Sequence, residues 1–188
     1  MLDNIIDKNI IFLQRYGVKM DTDDDRAIYK YGLQILYYYI IDLVVIFALA
    51  HLFGRLYETV IMIFIFGWFQ VFGGGYHAKT PSRCLLTIII WMVLGNILIT
   101  LMIDMTVINI LLIFTLSIAI LNSPPVINKN HPIKKKIIRR SKLIICISVI
   151  LILNTVFVLW YFNNTTEITI IAVTLLLYLF SLIRSKRK

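Results

Sequence analysis

Charged residues and cysteines are both scarce in this chain of 188 residues. Asp, Glu, Lys and Arg make up only 15% of it, which argues against an ordinary soluble domain, since about a quarter of such a domain is charged. Two cysteines cannot build a disulfide framework, and with three scattered histidines they do not match the ligand pattern of a structural zinc site. We therefore expect reduced thiols and neither a metal ion nor another cofactor.

The N-terminus and the charge pattern argue against two further classes. Residues 1–17 contain acidic side chains and no apolar core followed by small residues, so we expect no cleavable signal peptide there. A net charge of +9 would suit nucleic acid, but the sequence has no nucleic-acid recognition motif and its basic residues lie beside apolar runs. Membrane topology explains these residues better, and we expect no nucleic-acid partner.

Long apolar runs are what the sequence does contain. Hydrophobic residues make up 60% of the chain, and the mean hydropathy is +0.86. Runs of this length and composition predict helices that cross a lipid bilayer. The predicted fold class is all-α: a polytopic membrane protein with six transmembrane helices and an N-terminal amphipathic helix. The predicted spans are residues 33–53, 56–72, 85–103, 105–121, 143–162 and 168–183.

Residues 1–20 form the predicted amphipathic helix, and residues 21–188 form the predicted transmembrane domain. Ile6 and Ile10 belong to a set of apolar side chains at helical spacing with charged residues opposite, and Gly17 is suited to end the helix. Such a helix is either an interfacial anchor or a docking surface for a partner helix. The acidic stretch at 21–25 supplies an N-cap and first-turn acids for the next helix.

The basic residues indicate how the chain is oriented in the membrane. Eighteen of the 19 Lys and Arg residues fall at the N-terminus, in the central stretch, in the loop after the fourth span or at the C-terminus. With six spans, all four regions lie on one side of the bilayer, and the other side holds only Arg55. Because basic loops remain in the cytoplasm, we expect both termini and the central stretch to be cytosolic.

Two features of the membrane region allow more than one interpretation. Asp42 lies near the middle of the first span, where a carboxyl should face the bundle interior and has either a structural or a functional role. The loop predicted at 128–142 is either a topology anchor on an anionic leaflet or a docking site for an acidic substrate segment. Its basic side chains are Lys129, Lys134, Lys135, Lys136, Arg139, Arg140 and Lys142.

Residues 73–84, between the second and third spans, carry the candidate chemistry. Thr80 and Pro81 suit the N-cap and first position of a helix, which puts Cys84 in its opening turn, where the helix dipole stabilises a thiolate. His77 is positioned to act as general base, because three preceding glycines allow φ > 0 and let its segment fold back over the helix start. An inert thiol in an ordinary turn between spans gives the same pattern. No third catalytic residue is evident: Gln70, Ser82 and Glu58 are candidates, and Cys146 is expected to be inert packing.

The motif Gly74-Gly75-Tyr76-His77-Ala78, followed by Cys84 at the head of an apolar helix, resembles the accessory gene regulator B family. These proteins are membrane cysteine endopeptidases of quorum sensing in Gram-positive bacteria. The layout agrees over the whole chain, from the amphipathic N-terminus through six spans to the Lys-rich loop. The resemblance implies a multi-pass protein of the bacterial cell membrane, with its active site facing the cytoplasm, that works as a homodimer.

The same resemblance assigns roles to individual residues. It implies that Cys84 is the nucleophile and His77 its base, in cutting a small propeptide of the accessory gene regulator D type. A cysteine or serine of the bound peptide would capture the acyl-enzyme, giving a thiolactone or lactone ring. From the sequence itself, the candidate supporting residues are Gly74, Gly75, Ser82 and Gln70, and the candidate docking residues for the substrate are Lys134, Lys135, Lys136, Arg139 and Arg140. Family members often carry a basic residue at the position of Gln70.

Two other functions also fit the sequence. A small transporter would show substrate flux that depends on Asp42 and survives alkylation of Cys84. A membrane adaptor without catalysis would recruit an acidic partner through the basic loop, and neutralising Lys134, Lys135 and Lys136 would remove its binding.

Overall fold

The computed structural model describes residues 2–18, 20, 22–76, 81–123 and 135–186. These ranges contain seven helices and no strand, which confirms the all-α prediction. The helices are α1 (Leu2–Arg15), α2 (Asp23–Leu52), α3 (Leu56–Gly73), α4 (Pro81–Met102), α5 (Thr106–Asn122), α6 (Lys135–Tyr161) and α7 (Thr165–Lys186).

Five of these helices, α2, α3, α4, α6 and α7, are long and apolar enough to cross a membrane. α5 is also apolar but has only 17 residues. At about 1.5 Å per residue it measures roughly 25 Å, slightly less than a hydrocarbon core of about 30 Å. Each predicted span lies largely within one helix, and the chain is a multi-pass membrane protein.

The chain divides into two compact units, Met1–Leu49 and Ala50–Lys188. In the first unit, α1 is amphipathic as predicted: Ile6 and Ile10 are fully buried, whereas Lys8 and Arg15 are exposed. Tyr16 was predicted on the apolar face but is 76% exposed, because α1 ends at Arg15. Gly17 follows the helix with φ +88°, and its N–H donates to the carbonyl of Gln14 at 3.1 Å. A left-handed glycine after the last turn is a common helix terminator, so the predicted end of α1 is confirmed.

Polar side chains join α1 to the first half of α2. Lys30 Nζ lies 2.9 Å from Asp7 Oδ1, and Asn9 Nδ2 donates to Tyr37 Oη at 2.6 Å. The two residues of α1 lie within one turn and their partners lie two turns apart on α2, so the contacts fix where α1 lies along α2.

Thr22 caps the start of α2. Its hydroxyl oxygen accepts from the backbone N–H of Asp25 at 3.1 Å, while the Asp25 carboxylate accepts from the backbone N–H of Thr22 at 3.2 Å. This reciprocal pair is a capping box with Asp in place of Glu. The N-cap predicted within residues 21–25 is therefore confirmed, with Thr22 as the capping residue.

In the second unit, α7 is the central helix. The helices α3, α4, α5 and α6 all contact it, and 67% of its span is buried, against 17–22% of the other four spans. A helix that is apolar on every side belongs in the interior of a bundle. The buried cluster around it includes Phe69, Ile113, Leu116, Ile120, Ile145, Val149, Leu175 and Tyr178.

Contacts along α7 define the directions of its neighbours. Near the start of α3, Tyr57 Oη donates to Glu167 Oε1 at 3.0 Å, and at the end of α3 Gly73 touches Tyr178, so α3 and α7 are parallel. Trp91 of α4 stacks on Phe180 with ring centroids 6.5 Å apart. Gly95, one turn later in α4, contacts the earlier residue Leu177, so α4 is antiparallel to α7. The end of α3, the start of α4 and the end of α7 therefore share one end of the unit, here called the glycine end.

The opposite end is called the Arg55 end and is held by side chains. Arg55 Nη1 lies 2.7 Å from Glu58 Oε1, and its Nη2 donates to Thr100 Oγ1 at 2.9 Å. The hydrogen bond from Tyr57 to Glu167 lies at this end too. Glu58 and Gln70 thus lie at opposite ends of α3, as predicted.

The prediction of a loop at 128–142 is wrong for residues 135–142, because α6 begins at Lys135. Lysine and arginine have high helix propensity, so the helix extends beyond the apolar run. Arg139, Arg140 and Lys142 are exposed on its first turns. Lys129 and Lys134, with the side chains of Lys135 and Lys136, lie outside the described part of the chain.

Candidate functional site

The chain leaves α3 at the glycine end through a single left-handed residue. Gly73 is the last residue of α3, and Gly74 follows with φ +74° and ψ −178°. The N–H of Gly74 donates to the carbonyl of Gln70 at 3.1 Å, which closes the helix. All three glycines allow positive φ, and of the three only Gly74 adopts it.

Gly73 and Gly75 have a different role, which is to let the backbone approach α7 closely. A Cβ atom on Gly73 would overlap the hydroxyl of Tyr178 and lie 3.3 Å from Ile145 Cδ1. A Cβ atom on Gly75 would lie 2.9 Å from Ser181 Oγ. Both glycines are buried, so the backbone at 73–75 lies directly against α7 where no side chain would fit.

Tyr76 is held by three contacts, two to its backbone and one to its ring. Its N–H donates to Ser181 Oγ at 2.9 Å, and its carbonyl accepts from Gln70 Nε2 at 3.3 Å. The Arg184 guanidinium lies over its ring, 4.7 Å from the centroid, which is cation–π geometry. The position of residue 76 is therefore fixed by α7 on one side and α3 on the other.

Sequence reasoning missed the three residues of α7 that make these contacts. Tyr178, Ser181 and Arg184 are spaced by three residues, which puts them on one face of the helix. Their spacing was a visible signal, since hydroxyl and guanidinium groups are unusual at regular intervals in an otherwise apolar span. The spacing alone does not reveal which segment these side chains contact, because that segment lies about a hundred residues earlier in the chain.

Cys84 lies in the first turn of α4, as predicted, because the helix begins at Pro81. The side chain is half-buried and is not joined to Cys146 by a disulfide. N–H groups in the first turn of a helix have no intrahelical acceptor and carry the positive end of the dipole. The exposed guanidinium of Arg83 adjoins this turn in sequence. A thiolate at Cys84 is therefore placed next to positive charge.

α7 also holds the helix that carries Cys84. Trp91, two turns after Cys84, stacks on Phe180, and Gly95 lies where a Cβ would be 3.1 Å from Leu177 Cδ1. The same stretch of α7 thus contacts both flanks of residues 77–80. His77 and Thr80 lie outside the described residues, as does the side chain of Ser82, so the contact between imidazole and thiol stays a prediction.

The sequence model described as Accessory gene regulator B matches residues 4–182. The chain belongs to the accessory gene regulator B family. It is also similar to an AgrB-like protein of Clostridium acetobutylicum, with 33% identity over 69 residues. That match covers 37% of this chain and 33% of the relative, so it spans about a third of the length of the curated protein. No solved structure matches the chain.

Membership confirms the resemblance found in the sequence. In this accessory gene regulator B family protein, residues 74–76 of the motif belong to the segment that α7 holds at the glycine end.

Among the candidates for a third catalytic group whose side chains the structure describes, Gln70 lies beside the motif. Its Nε2 holds the carbonyl of Tyr76, while its buried Oε1 has no hydrogen-bond partner among the described residues. Glu58 lies at the Arg55 end and is paired with Arg55. It is thus too far along α3 to take part.

Two other residues from the sequence analysis have defined surroundings. Cys146 is half-buried and lies three turns into α6, which begins at Lys135. Asp42 is only 8% exposed, and that its carboxyl faces the interior of the bundle stays a prediction. Among the described residues, no group of three or more His, Cys, Asp and Glu side chains is arranged to hold a metal ion.

Proposed function

We propose that this protein is a membrane cysteine endopeptidase that cuts a small propeptide of the accessory gene regulator D type through an acyl-thioester on Cys84. The observation that carries the proposal is the double role of α7. It holds the chain at Tyr76, directly before His77, and it packs against the helix that begins three residues before Cys84. The residue before the proposed base and the helix of the proposed nucleophile are thereby held by one rigid element, which supports a cysteine peptidase site.

The chemistry would proceed in two acyl transfers. The Cys84 thiolate attacks the scissile carbonyl, a sulfur–carbon bond forms, the peptide C–N bond breaks, and the leaving amine takes a proton from the His77 imidazolium. A thiol or hydroxyl of the bound peptide then attacks the thioester, gives its proton to the imidazole, and releases Cys84 as thiolate. Attack from within the same peptide is favoured by its high effective concentration, and the product is a thiolactone or lactone.

The charge at the glycine end supports a cytoplasmic active site. Trp68 Nε1 donates to Ser148 Oγ at 2.8 Å, so the first half of α6 lies beside the end of α3. The exposed Arg139, Arg140 and Lys142 precede this contact and therefore lie at the glycine end. Basic residues remain on the cytoplasmic side of a membrane. The same side chains offer a docking surface to an acidic segment of the propeptide.

Cleavage by the Cys84→Ala variant tests the proposal. In vesicles containing the full-length protein and a synthetic propeptide, we expect this variant to insert normally but to give no cyclic product by mass spectrometry. Cys146→Ala is the matched control and should cleave at the normal rate. Wild-type protein stopped with acid should carry a peptide adduct that hydroxylamine removes, as it does any thioester. Normal cleavage by Cys84→Ala would refute the mechanism.

A further inference from the structure

We propose that Ser181 and Arg184 of α7 are positioning residues that fix Tyr76 and thereby set where the chain places His77. The inference rests on the proposed function, because it assigns these two side chains a role in that reaction. Neither residue belongs to the motif between α3 and α4, and they reach it only through the packing of the second unit.

The hydrogen bond from Tyr76 to Ser181 is the first part of the argument. Ser181 is 1% exposed, and its Oγ lies 2.9 Å from the backbone nitrogen of Tyr76. The bond is partly buried, and an amide that loses its acceptor there is left without a protein partner, so the bond restrains the local path of the chain. Since the donor is backbone, the bond fixes the path of the chain whatever side chain residue 76 carries.

The ring of Tyr76 supplies the second part. Arg184 lies one turn beyond Ser181 on the same face of α7, with its guanidinium 4.7 Å from the ring centroid. Backbone and side chain of residue 76 are therefore held by neighbouring turns of one helix. Gln70 holds the carbonyl from the opposite side at 3.3 Å. With its N–H, its carbonyl and its ring all engaged, residue 76 has little rotational freedom.

This restraint matters because the next residue is the proposed base. General-base catalysis depends on the distance between base and nucleophile, and a displacement of about 1 Å is enough to cost two orders of magnitude in rate. α7 also holds α4, the helix of Cys84, through Phe180 and Leu177. One stretch of α7 thus contacts both Tyr76, the residue before His77, and α4, the helix that carries Cys84.

The same contacts contribute little to the stability of the unit as a whole. Ser181 and Arg184 lie in the last two turns of α7, beyond most of the buried cluster that includes Ile113, Leu175 and Tyr178. Removing one hydroxyl there leaves that cluster unchanged. The expected defect is therefore in catalysis and not in folding or membrane insertion.

The test measures Cys84 reactivity and cleavage together. In full-length protein carrying Cys146→Ala, so that Cys84 is the remaining thiol, alkylation by iodoacetamide is followed against pH in vesicles. We expect Ser181→Ala to move this profile toward that of His77→Ala and to lower kcat by about three- to tenfold with a smaller change in KM. Ser181→Thr, which keeps a hydroxyl, should restore both.

Ser117→Ala is the matched control, because Ser117 is also buried at 2% exposure but lies on α5. Its alkylation profile and kcat should equal those of the parent. If Ser181→Ala behaves like Ser117→Ala, or if Ser181→Thr inserts and yet restores nothing, the inference is wrong.

A second pair of variants tests the ring contact and does not depend on how Ser181 variants fold. Arg184→Gln and Tyr76→Leu should each lower kcat, whereas Arg184→Lys and Tyr76→Phe, which keep the charge and the ring, should retain most of it. Equal activity in all four variants would overturn the role of Arg184. The proposed function fails by a different result, cleavage by Cys84→Ala, so the two failures are distinguishable.

Discussion

At the Arg55 end of the Ala50–Lys188 unit, side chains bond to side chains, whereas at the glycine end α7 holds the backbone of another segment. Arg55 joins Glu58 and Thr100, and Tyr57 joins Glu167. At the other end, Ser181 accepts from a backbone N–H, and the glycines touch α7 directly. A pair of side chains can change without moving the chain, but a backbone contact determines where the chain runs. The Arg55 end therefore fastens helices, and the glycine end positions a site.

Gly73→Ala should produce the largest difference between the two ends. The added methyl group would displace Tyr178, and overpacking of this kind costs about 1–3 kcal/mol. Expressed at the site, that cost lowers cleavage by roughly 5- to 150-fold. Gly67→Ala on the same helix is the control, because a Cβ there meets nothing within 4 Å. Propeptide cleavage in vesicles compares the two variants, and similar activity in both would contradict the close-approach role of Gly73.

Tyr178→Phe should partly rescue Gly73→Ala, which sharpens the same comparison. Removing the hydroxyl takes away the atom that a Cβ at residue 73 would overlap. The recovery should be incomplete, since Tyr178 Cζ would still lie 3.2 Å from that Cβ. Cleavage by the double variant is measured against each single variant. Absence of any recovery would show that Gly73 acts through something other than its contact with Tyr178.

Arg55→Gln and Glu58→Gln should affect stability and leave catalysis unchanged. The two side chains are 31% and 13% exposed, so their ion pair is partly screened and should contribute about 0.5–1 kcal/mol. Thermal unfolding in detergent should show this loss in either variant, with no further loss in the double variant. Cleavage per folded molecule should equal that of the parent. A drop in cleavage without a drop in stability would break the comparison.

Tyr57→Phe should have the smallest effect. Tyr57 is 57% exposed, and one partly solvated hydrogen bond to Glu167 contributes about 0.5 kcal/mol or less. Unfolding in detergent should change little and cleavage should not change. Tyr76→Leu, which removes an aromatic ring at the other end, is the informative counterpart, because its defect should appear in kcat alone.

The helices could be predicted from the sequence because lipid leaves the backbone few alternatives. A segment in hydrocarbon must satisfy its own N–H and C=O groups, so each apolar run becomes a helix. Local signals were also sufficient for the capping of α2 by Thr22, for the end of α1 at Gly17 and for the place of Cys84 in the first turn of α4.

The roles of the glycines could be predicted only in part. A glycine run indicates either positive φ or close approach, and the sequence does not distinguish the two. Gly74 has positive φ, while Gly73 and Gly75 are required by Tyr178 and Ser181. Because those partners lie on α7, the distinction depends on helix packing. The basic residues at 135–142 were assigned to a loop, although lysine and arginine have high helix propensity. The start of α6 was therefore placed too late.

The sequence by itself determined which segments enter the membrane, where the basic residues fall, and which thiol and imidazole are close along the chain. Only the tertiary structure decided that α7 is the central helix and that its last turns hold residue 76. The reason is that lipid solvates an apolar surface as well as a protein interior does. α6 has the higher mean hydropathy, yet 17% of its span is buried against 67% for α7. Hydropathy selects helices for the bilayer, and packing alone arranges them within it.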